Sequence, residues 1–208
     1  MTKRLIVAAL VGGLGLLAAT PLLSFRNDPR PAAAVEQRPQ GDRIFLSVID
    51  RAAATDLVGY PSGVRSLLNV RKKMYYGESV WNDRGIPRGP LTIRVDLTSQ
   101  IISVFRDGHE IGTAVILYGA SEKATPMGAF PVIAKMRRHR SATYDADMPF
   151  TLRLTDDGIS IHGSDVRWGA ATHGCIGVPL DFAEKLFDQA ALGDKVAIVA
   201  SPRTATQA

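Results

Sequence analysis

The chain contains a single cysteine, Cys175, and two of its four histidines, His162 and His173, lie close to it in sequence. The stretch reads ISIHGSDVRWGAATHGCIGVP, from Ile159 to Pro179. Only the thiolate form of cysteine attacks carbonyl carbons, and a thiol with the ordinary pKa of about 8.5 is mostly protonated at neutral pH. A nearby imidazole lowers that pKa and stores the proton. The pattern therefore predicts acyl transfer through a thioester on Cys175, with His162 as the base.

Two other interpretations of these residues stay open. His162, His173 and Cys175 would supply three ligands to a zinc ion, but structural zinc sites take four, and no second cysteine or local acidic pair completes the set. The thiol would alternatively be buried and inert, as many free cysteines are. We expect no bound metal and no cofactor, because the acyl-transfer interpretation assigns His162 and Cys175 to proton transfer and nucleophilic attack.

The elements around these residues are predicted to bring them together. Ile159 and Ile161 have the spacing of one face of a strand, so His162 points to the opposite face. Gly163 lets the chain turn, and the loop that follows is long enough to return Cys175 to the end of its own strand. Gly174 lets backbone N–H groups approach the oxyanion of a tetrahedral intermediate, where each donor typically contributes roughly 3 to 4 kcal/mol.

Alternation of apolar and polar residues predicts a mainly β fold with short helices. Leu91 to Leu97 alternate with a period of two, and the pairs Asp107-Gly108 and Asp157-Gly158 are typical of hairpin turns. Further strands are predicted within Ile102–Phe105, Ile111–Leu117, Phe150–Leu154, Ile159–Gly163 and Lys195–Val199. Asp181 to Leu192 is predicted to be a helix with Asp181 as its N-cap. These elements favour a β-sandwich or barrel over an alternating βαβ fold.

The N-terminal segment, residues 1–25, predicts export across a membrane. Lys3 and Arg4 precede a stretch from Leu5 to Phe25 that carries no charged residue. Such a segment is either a cleaved signal peptide or an uncleaved anchor that leaves the N-terminus in the cytoplasm. We expect the remainder of the chain on the periplasmic side of the inner membrane, anchored there or free in the periplasm or cell wall.

The rest of the chain divides by composition. Residues 26–43 are rich in proline and alanine, which predicts an extended tether. Residues 44–90 form a lead-in that is predicted to be partly helical, because Val64, Leu67, Leu68 and Met74 have helical spacing. Residues 91–200 form the main domain, and residues 201–208 a flexible tail.

The charge of the chain excludes one class of partner. The formal net charge of +5 is a mild excess without the clustered basic stripe of a nucleic-acid-binding protein. It suits an exported protein that works near anionic polymers or lipid surfaces. The basic run from Lys135 to Arg140 has two interpretations, a lid or polymer-binding loop and a solvated charged surface.

Several motifs together resemble one known family, the YkuD-like L,D-transpeptidases. The stretch IHGSDVRWGAATHGC resembles the family's His-Gly followed by Ser/Thr-His-Gly-Cys, and ATPMGAF, Ala124 to Phe130, is similar to its Thr-Pro-x-Gly-x-Phe element. The order of landmarks from Leu91 to Ala200 also agrees. The resemblance implies a β-sandwich catalytic domain that cross-links peptidoglycan stem peptides outside the inner membrane.

The resemblance also implies roles for individual residues. Cys175 would be the nucleophile and His162 the base, with the carbonyl of Gly163 orienting the imidazole. His173 would line the site, and the backbone N–H groups of His173, Gly174 and Cys175 would form the oxyanion hole. Thr172 takes the Ser/Thr position before His-Gly-Cys, where it would contact the substrate.

One position departs from the family pattern. Many members have an arginine two residues after the cysteine, and this chain has Gly177. The contact with an acidic group of the stem peptide would then be missing, or supplied by Arg167 or another residue, while Arg167 and Trp168 would frame the cleft. Two further activities therefore stay open: an L,D-carboxypeptidase or endopeptidase with the same thioester, and a catalytically silent wall-binding module.

Overall fold

The alternating segments of the sequence form strands in the computed structural model, which describes residues 39–58, 60–119, 124–141 and 145–202. The described residues form thirteen strands and two helices, which confirms the mainly β fold with short helices. The predicted export segment, residues 1–25, lies outside the described residues. Within those ranges, neither helix is long and apolar enough to cross a membrane.

The elements before residue 90 are short. They are β1 (Pro39–Gln40), β2 (Arg43–Phe45), α1 (Val48–Val58), β3 (Ser66–Leu68) and β4 (Ser79–Trp81).

The strands of the central part include the longest ones. They are β5 (Leu91–Asp96), β6 (Ile101–Arg106), β7 (His109–Val115), β8 (Gly128–Pro131) and β9 (Ala134–Met136).

The remaining elements carry the residues predicted to do chemistry. They are β10 (Thr151–Arg153), β11 (Ser160–Gly163), β12 (Ile176–Val178), α2 (Leu180–Gln189) and β13 (Lys195–Val199).

The strands form two sheets. The larger has the order β1-β2-β3-β7-β6-β5-β13-β8, with β4 also paired to β7, and the smaller has the order β12-β11-β10-β9. Apolar residues of β5, β6, β10, β11 and β12 belong to one core cluster, together with Phe182 and Leu186 of α2. Alternation leaves the other face of the small sheet, including His162, free of this core. The candidate site lies on that face.

The lead-in before residue 90 is partly helical, but its helix does not lie where the sequence predicted it. The helix is α1, whereas the residues around Val64 and Leu68 form β3 and the chain beside it. Ser47 and Asp50 cap α1 reciprocally, because the Asp50 N–H donates to Ser47 Oγ and the Ser47 N–H to Asp50 Oδ2. Leu68 is buried in β3, to which β2 and β7 offer backbone partners, and Val64 is buried in the chain just before that strand. Over a segment this short, a helix and a strand can bury the same apolar residues, so the spacing did not distinguish them.

Two predicted boundaries differ from the observed ones, the end of the tether and the start of the late helix. Arg43, predicted to end the extended tether, is buried and donates hydrogen bonds to the carbonyl oxygens of Glu110 and Asn82. Asp181 is not the N-cap of the late helix, because α2 begins at Leu180 after Pro179 and has no side-chain cap. The proline restricts the entry of the chain into α2 instead.

Asp194 joins the turn after α2 to the start of β5. Its carboxylate is buried and accepts hydrogen bonds from the backbone N–H groups of Leu91, at 3.0 Å, and Ala191, at 2.8 Å. We predict that Asp194→Ala lowers the free energy of unfolding by about 2–3 kcal/mol, because it removes the acceptor of the buried Leu91 N–H and of the partly buried Ala191 N–H. Urea unfolding of the variant and wild type measures this loss.

Asp181→Ala is the matched control for that experiment. The Asp181 side chain is exposed and makes only a 3.8 Å ion pair with Lys185 and a 3.4 Å contact with Ser79. Its removal should change the free energy of unfolding by less than about 1 kcal/mol. Equal losses at the two aspartates would contradict the role given to Asp194.

Candidate active site

Parallel pairing of β11 with β12 brings the predicted base and nucleophile to one face of the small sheet. Ile161 pairs with Ile176, and His162 pairs with Gly177. Side chains alternate along a strand, so Cys175, two residues before Gly177, lies on the same side as His162. The loop after Gly163 thus returns the cysteine to a position diagonal to the histidine.

His162 and Cys175 line the same cavity, which has a volume of about 440 Å³. Thr172 and His173 also line it, with His173 exposed at the surface. Sequence reasoning did not find the other polar side chains of the cavity, which include His139, Asp147, Arg153, Asp157 and Ser160. The cavity therefore offers both charges to a substrate beside the thiol.

His162 is held in one orientation and one tautomer. Its Nδ1 lies 2.9 Å from the carbonyl oxygen of Gly163. A carbonyl only accepts hydrogen bonds, so Nδ1 carries the proton and Nε2 is left as the acceptor. Burial lowers the pKa of His162 and outweighs the raising effect of the Gly163 hydrogen bond, while the nearby His139 lowers the pKa further. The imidazole is therefore neutral at neutral pH and able to take a proton at Nε2.

Close packing around Gly163 holds the carbonyl that orients His162. The Gly163 N–H donates to Pro149 O at 2.8 Å. A Cβ on Gly163 would lie 2.9 Å from Leu180 Cδ1 and 3.2 Å from Pro149 Cγ. A larger residue at this position would have to displace the exposed side chain of Leu180 and would press against Pro149, so the packing is tightest on the Pro149 side.

The backbone at Cys175 makes a sharp turn into β12. Gly174 has a φ of +97°, which residues with side chains rarely adopt. The thiol is partly buried, and its Sγ lies 3.7 Å from the carbonyl oxygen of Gly158. The hydroxyl of Thr172 donates to the carbonyl oxygen of Cys175. Thr172 thus contacts the backbone of Cys175 and also lines the cavity, and the substrate contact expected from the sequence stays a prediction.

Thr125, from the ATPMGAF motif, contacts the same turn. It is buried, its hydroxyl donates to Gly174 O at 3.0 Å, and it accepts a hydrogen bond from the Gly119 N–H at 2.9 Å. The sequence analysis identified the motif, but it did not predict that Thr125 contacts the turn at Gly174.

The large sheet reaches the site through the chain that follows β7. Leu117 and Gly177 exchange two backbone hydrogen bonds of 2.9 Å, and the Thr172 N–H donates to Tyr118 O at 3.1 Å. The segment after β7 therefore lies beside β12. The strand that follows Cys175 thus has a backbone partner on each of its two edges.

Arg167 and Trp168 lie away from this cavity. Both are exposed, and Arg167 forms an ion pair with Asp165 at 3.3 Å. They line a separate groove of about 650 Å³ that also contains Tyr75 and Tyr76. The predicted framing of the cleft by these two residues finds no support here, and Arg153 is the arginine that lines the cavity with Cys175.

Two arginines of the basic run from Lys135 to Arg140 form ion pairs at the exposed surface. Arg137 forms ion pairs with Asp188 and Glu184 of α2, and Arg140 with Asp145 and Asp147. His139, between the two arginines, lines the cavity with Cys175. Met136 and His139 thus put part of the run in the cavity wall, while Arg137, Arg138 and Arg140 lie at the exposed surface.

The three residues considered for zinc do not form a metal-binding group. Among the described residues, no set of three or more histidine, cysteine, aspartate or glutamate side chains is placed to hold a metal ion. His162 and Cys175 line one cavity together with His173.

Gly177 lies in a crowded position. It is the residue at which the sequence departs from the arginine of many YkuD-like L,D-transpeptidases. A Cβ there would lie 3.0 Å from Ser164 Cβ and 3.4 Å from Leu117 Cβ. We predict that Gly177→Ala lowers the free energy of unfolding by about 1–3 kcal/mol, because the added methyl group overpacks this contact. Thermal and urea unfolding measure the loss.

Gly89→Ala is the control for Gly177. A Cβ on Gly89 meets no atom within 4 Å. This change should be neutral or stabilise the fold by less than about 1 kcal/mol. If Gly177→Ala were equally harmless, the space beside β12 would admit a side chain and the crowding argument would be wrong.

Comparison with known proteins identifies the family of the domain that contains this site. The family model of the YkuD L,D-transpeptidase catalytic domain matches residues 90–198, just over half of the chain. No curated protein matches the chain.

Two solved structures illustrate the likeness. An L,D-transpeptidase (Yku) from Stackebrandtia nassauensis is 27% identical, with a TM-score of 0.50, over 57% of this chain and 60% of that one. An L,D-transpeptidase from Mycobacterium tuberculosis H37Rv is 24% identical, with a TM-score of 0.48, over 53% of this chain and 58% of that one. The chain thus spans about three fifths of the length of these structures.

Proposed function

Because the chain belongs to the family of the YkuD L,D-transpeptidase catalytic domain, we propose that it is an exported peptidoglycan L,D-transpeptidase that acts through a thioester on Cys175. The observation that supports this most directly is one cavity that contains both Cys175 and a neutral His162 oriented by Gly163. The substrate class, peptidoglycan stem peptides, follows from membership of the family.

The first half of the reaction acylates the cysteine. His162 Nε2 takes the proton of the Cys175 thiol, and Sγ bonds to the carbonyl carbon that follows the L-centre of a tetrapeptide stem. When the tetrahedral intermediate collapses, the C–N bond breaks and the leaving amine of the terminal D-residue takes the proton from His162. The products are a thioester on Cys175 and a free D-amino acid.

The second half transfers the acyl group. An amine of a neighbouring stem attacks the thioester carbon and gives its proton to His162, the C–S bond breaks, and the departing sulfur regains a proton. The product is a cross-link between two stems, and the enzyme returns to its starting state. Water in place of the amine would give a shortened stem, which is the carboxypeptidase alternative.

In both halves of the reaction, negative charge develops on the substrate carbonyl oxygen and needs hydrogen-bond donors. Backbone N–H groups of His173, Gly174 and Cys175 are the proposed oxyanion hole, and the turn at Gly174 lets the substrate approach them closely. Arg153 and the other charged groups of the cavity would contact polar parts of the stem. No metal or cofactor takes part in this proposal.

Residues 1–25 complete the proposal by placing the enzyme near its substrate. As a signal anchor they would hold the catalytic domain at the periplasmic side of the inner membrane, and as a cleaved signal they would release it into the periplasm or cell wall. N-terminal sequencing of the mature protein distinguishes the two.

The product of the purified protein tests the function. We predict that incubation with tetrapeptide stems gives a cross-linked dimer that has lost one terminal D-residue, and that Cys175→Ser abolishes it, because serine is a much weaker nucleophile beside a neutral imidazole. Mass spectrometry of the products measures both. A shortened monomer without dimer would favour the L,D-carboxypeptidase.

A carbapenem separates an active thiol from a silent wall-binding module. Its strained ring is an acyl donor, so the intact mass of the wild-type protein should rise by one carbapenem, and Cys175→Ser should show no such adduct. A folded wild-type protein that forms neither adduct nor product, yet binds peptidoglycan, would overturn the proposed activity.

A further inference from the structure

The hydroxyl of Thr125 joins three separate segments at the nucleophile. It donates to the carbonyl oxygen of Gly174 at 3.0 Å and accepts from the N–H of Gly119 at 2.9 Å. Thr125 is 6% exposed, so water does not compete freely for these bonds. The Gly174 carbonyl belongs to the peptide unit that ends at the nitrogen of Cys175.

This bond sets the direction of one N–H group. A peptide unit is planar and trans, so the N–H of Cys175 points opposite to the carbonyl of Gly174. The ladder of the small sheet does not orient this unit, because β12 begins only at Ile176. Gly174 has a positive φ and few steric restraints of its own, so an external partner has to hold the plane.

We propose that Thr125 is a positioning residue that aims the Cys175 N–H at the substrate oxyanion. The inference rests on the proposed function, because it assumes acylation of Cys175. Thr125 transfers no proton and forms no bond to the substrate. It holds the Gly174 carbonyl, and the rigid peptide plane then presents the donor where charge develops in the tetrahedral intermediate.

Thr172 makes a parallel contact that has a different consequence. Its hydroxyl donates to the carbonyl oxygen of Cys175, which belongs to the next peptide unit. That unit carries the N–H of Ile176, the first residue of β12. Of these two threonines, Thr125 is therefore the one that controls the N–H of Cys175.

Two reactions of the same thiol separate positioning of the oxyanion donor from activation of the nucleophile. Iodoacetamide alkylates the thiolate at a saturated carbon and develops no oxyanion, whereas acylation by a carbapenem needs the oxyanion hole. We therefore compare both rates, as functions of pH, in the full chain and in Thr125→Val, Thr125→Ala and Thr125→Ser.

The expected result is a selective loss. Thr125→Val and Thr125→Ala should acylate at least about tenfold more slowly, with the alkylation rate and its pH midpoint unchanged. Thr125→Ser retains the hydroxyl and should recover most of the acylation rate. Thr113→Val is the matched control and should change neither rate. Thr113 is 5% exposed and lines a different cavity, with Tyr60 and Glu110.

Other outcomes overturn the proposal. Equal slowing of alkylation and acylation would mean that Thr125 acts on the thiol itself, and unchanged acylation would mean that it has no catalytic role. If both variants without the hydroxyl lose the native circular dichroism spectrum, Thr125 is a structural residue and the proposal is wrong. Absence of acylation in the wild-type protein would instead overturn the proposed function, so the two failures are distinguishable.

Discussion

The hydrogen bond from His162 Nδ1 to the carbonyl of Gly163 is the constraint on which the proposed chemistry depends. Because a carbonyl only accepts, this single bond selects the tautomer and leaves Nε2 to accept the thiol's proton. The backbone at Gly163 is held by the hydrogen bond from its N–H to Pro149 O and by packing against Pro149 and Leu180. Burial then lowers the pKa of His162, so the imidazole is neutral at neutral pH and can accept a proton. Orientation and protonation state both follow from how the end of β11 is packed.

The nucleophile depends on the rest of the fold through backbone contacts. β12 is paired with β11 on one edge and with Leu117 on the other, and Leu117 follows the longest strand of the large sheet. Thr125 donates a hydrogen bond to the carbonyl of Gly174, and Thr172 donates one to the carbonyl of Cys175. The small sheet thus carries His162 and leads out of Cys175, while the segment after β7 of the large sheet supports the backbone beside the cysteine.

Sequence reasoning succeeded where local patterns decide the structure. Period-two alternation predicted β13 to the residue and β5 to within one residue, because both are central strands with one face in the core. It placed the helix of the lead-in wrongly, although Ser47 and Asp50 carried a capping signal before α1. In the site, residue types and spacing predicted that Cys175 and His162 act together, and both line one cavity, but no local pattern marks the bond from Thr125 to Gly174. Likewise, the crowding at Gly177 and the exposure of Arg167 depend on residues distant in sequence.

The pH dependence of Cys175 acylation by a carbapenem, in the full chain and in His162→Asn, tests the central claim that His162 is the base. The wild-type rate should rise with pH as His162 loses its proton, with a midpoint below the ordinary histidine value of about 6.5, because burial lowers that pKa. The variant should lack this rise and be slower by on the order of 10². A variant that is as fast as the wild type and keeps the same pH profile would contradict the account and assign the proton transfer to another group, with His173 the first to examine.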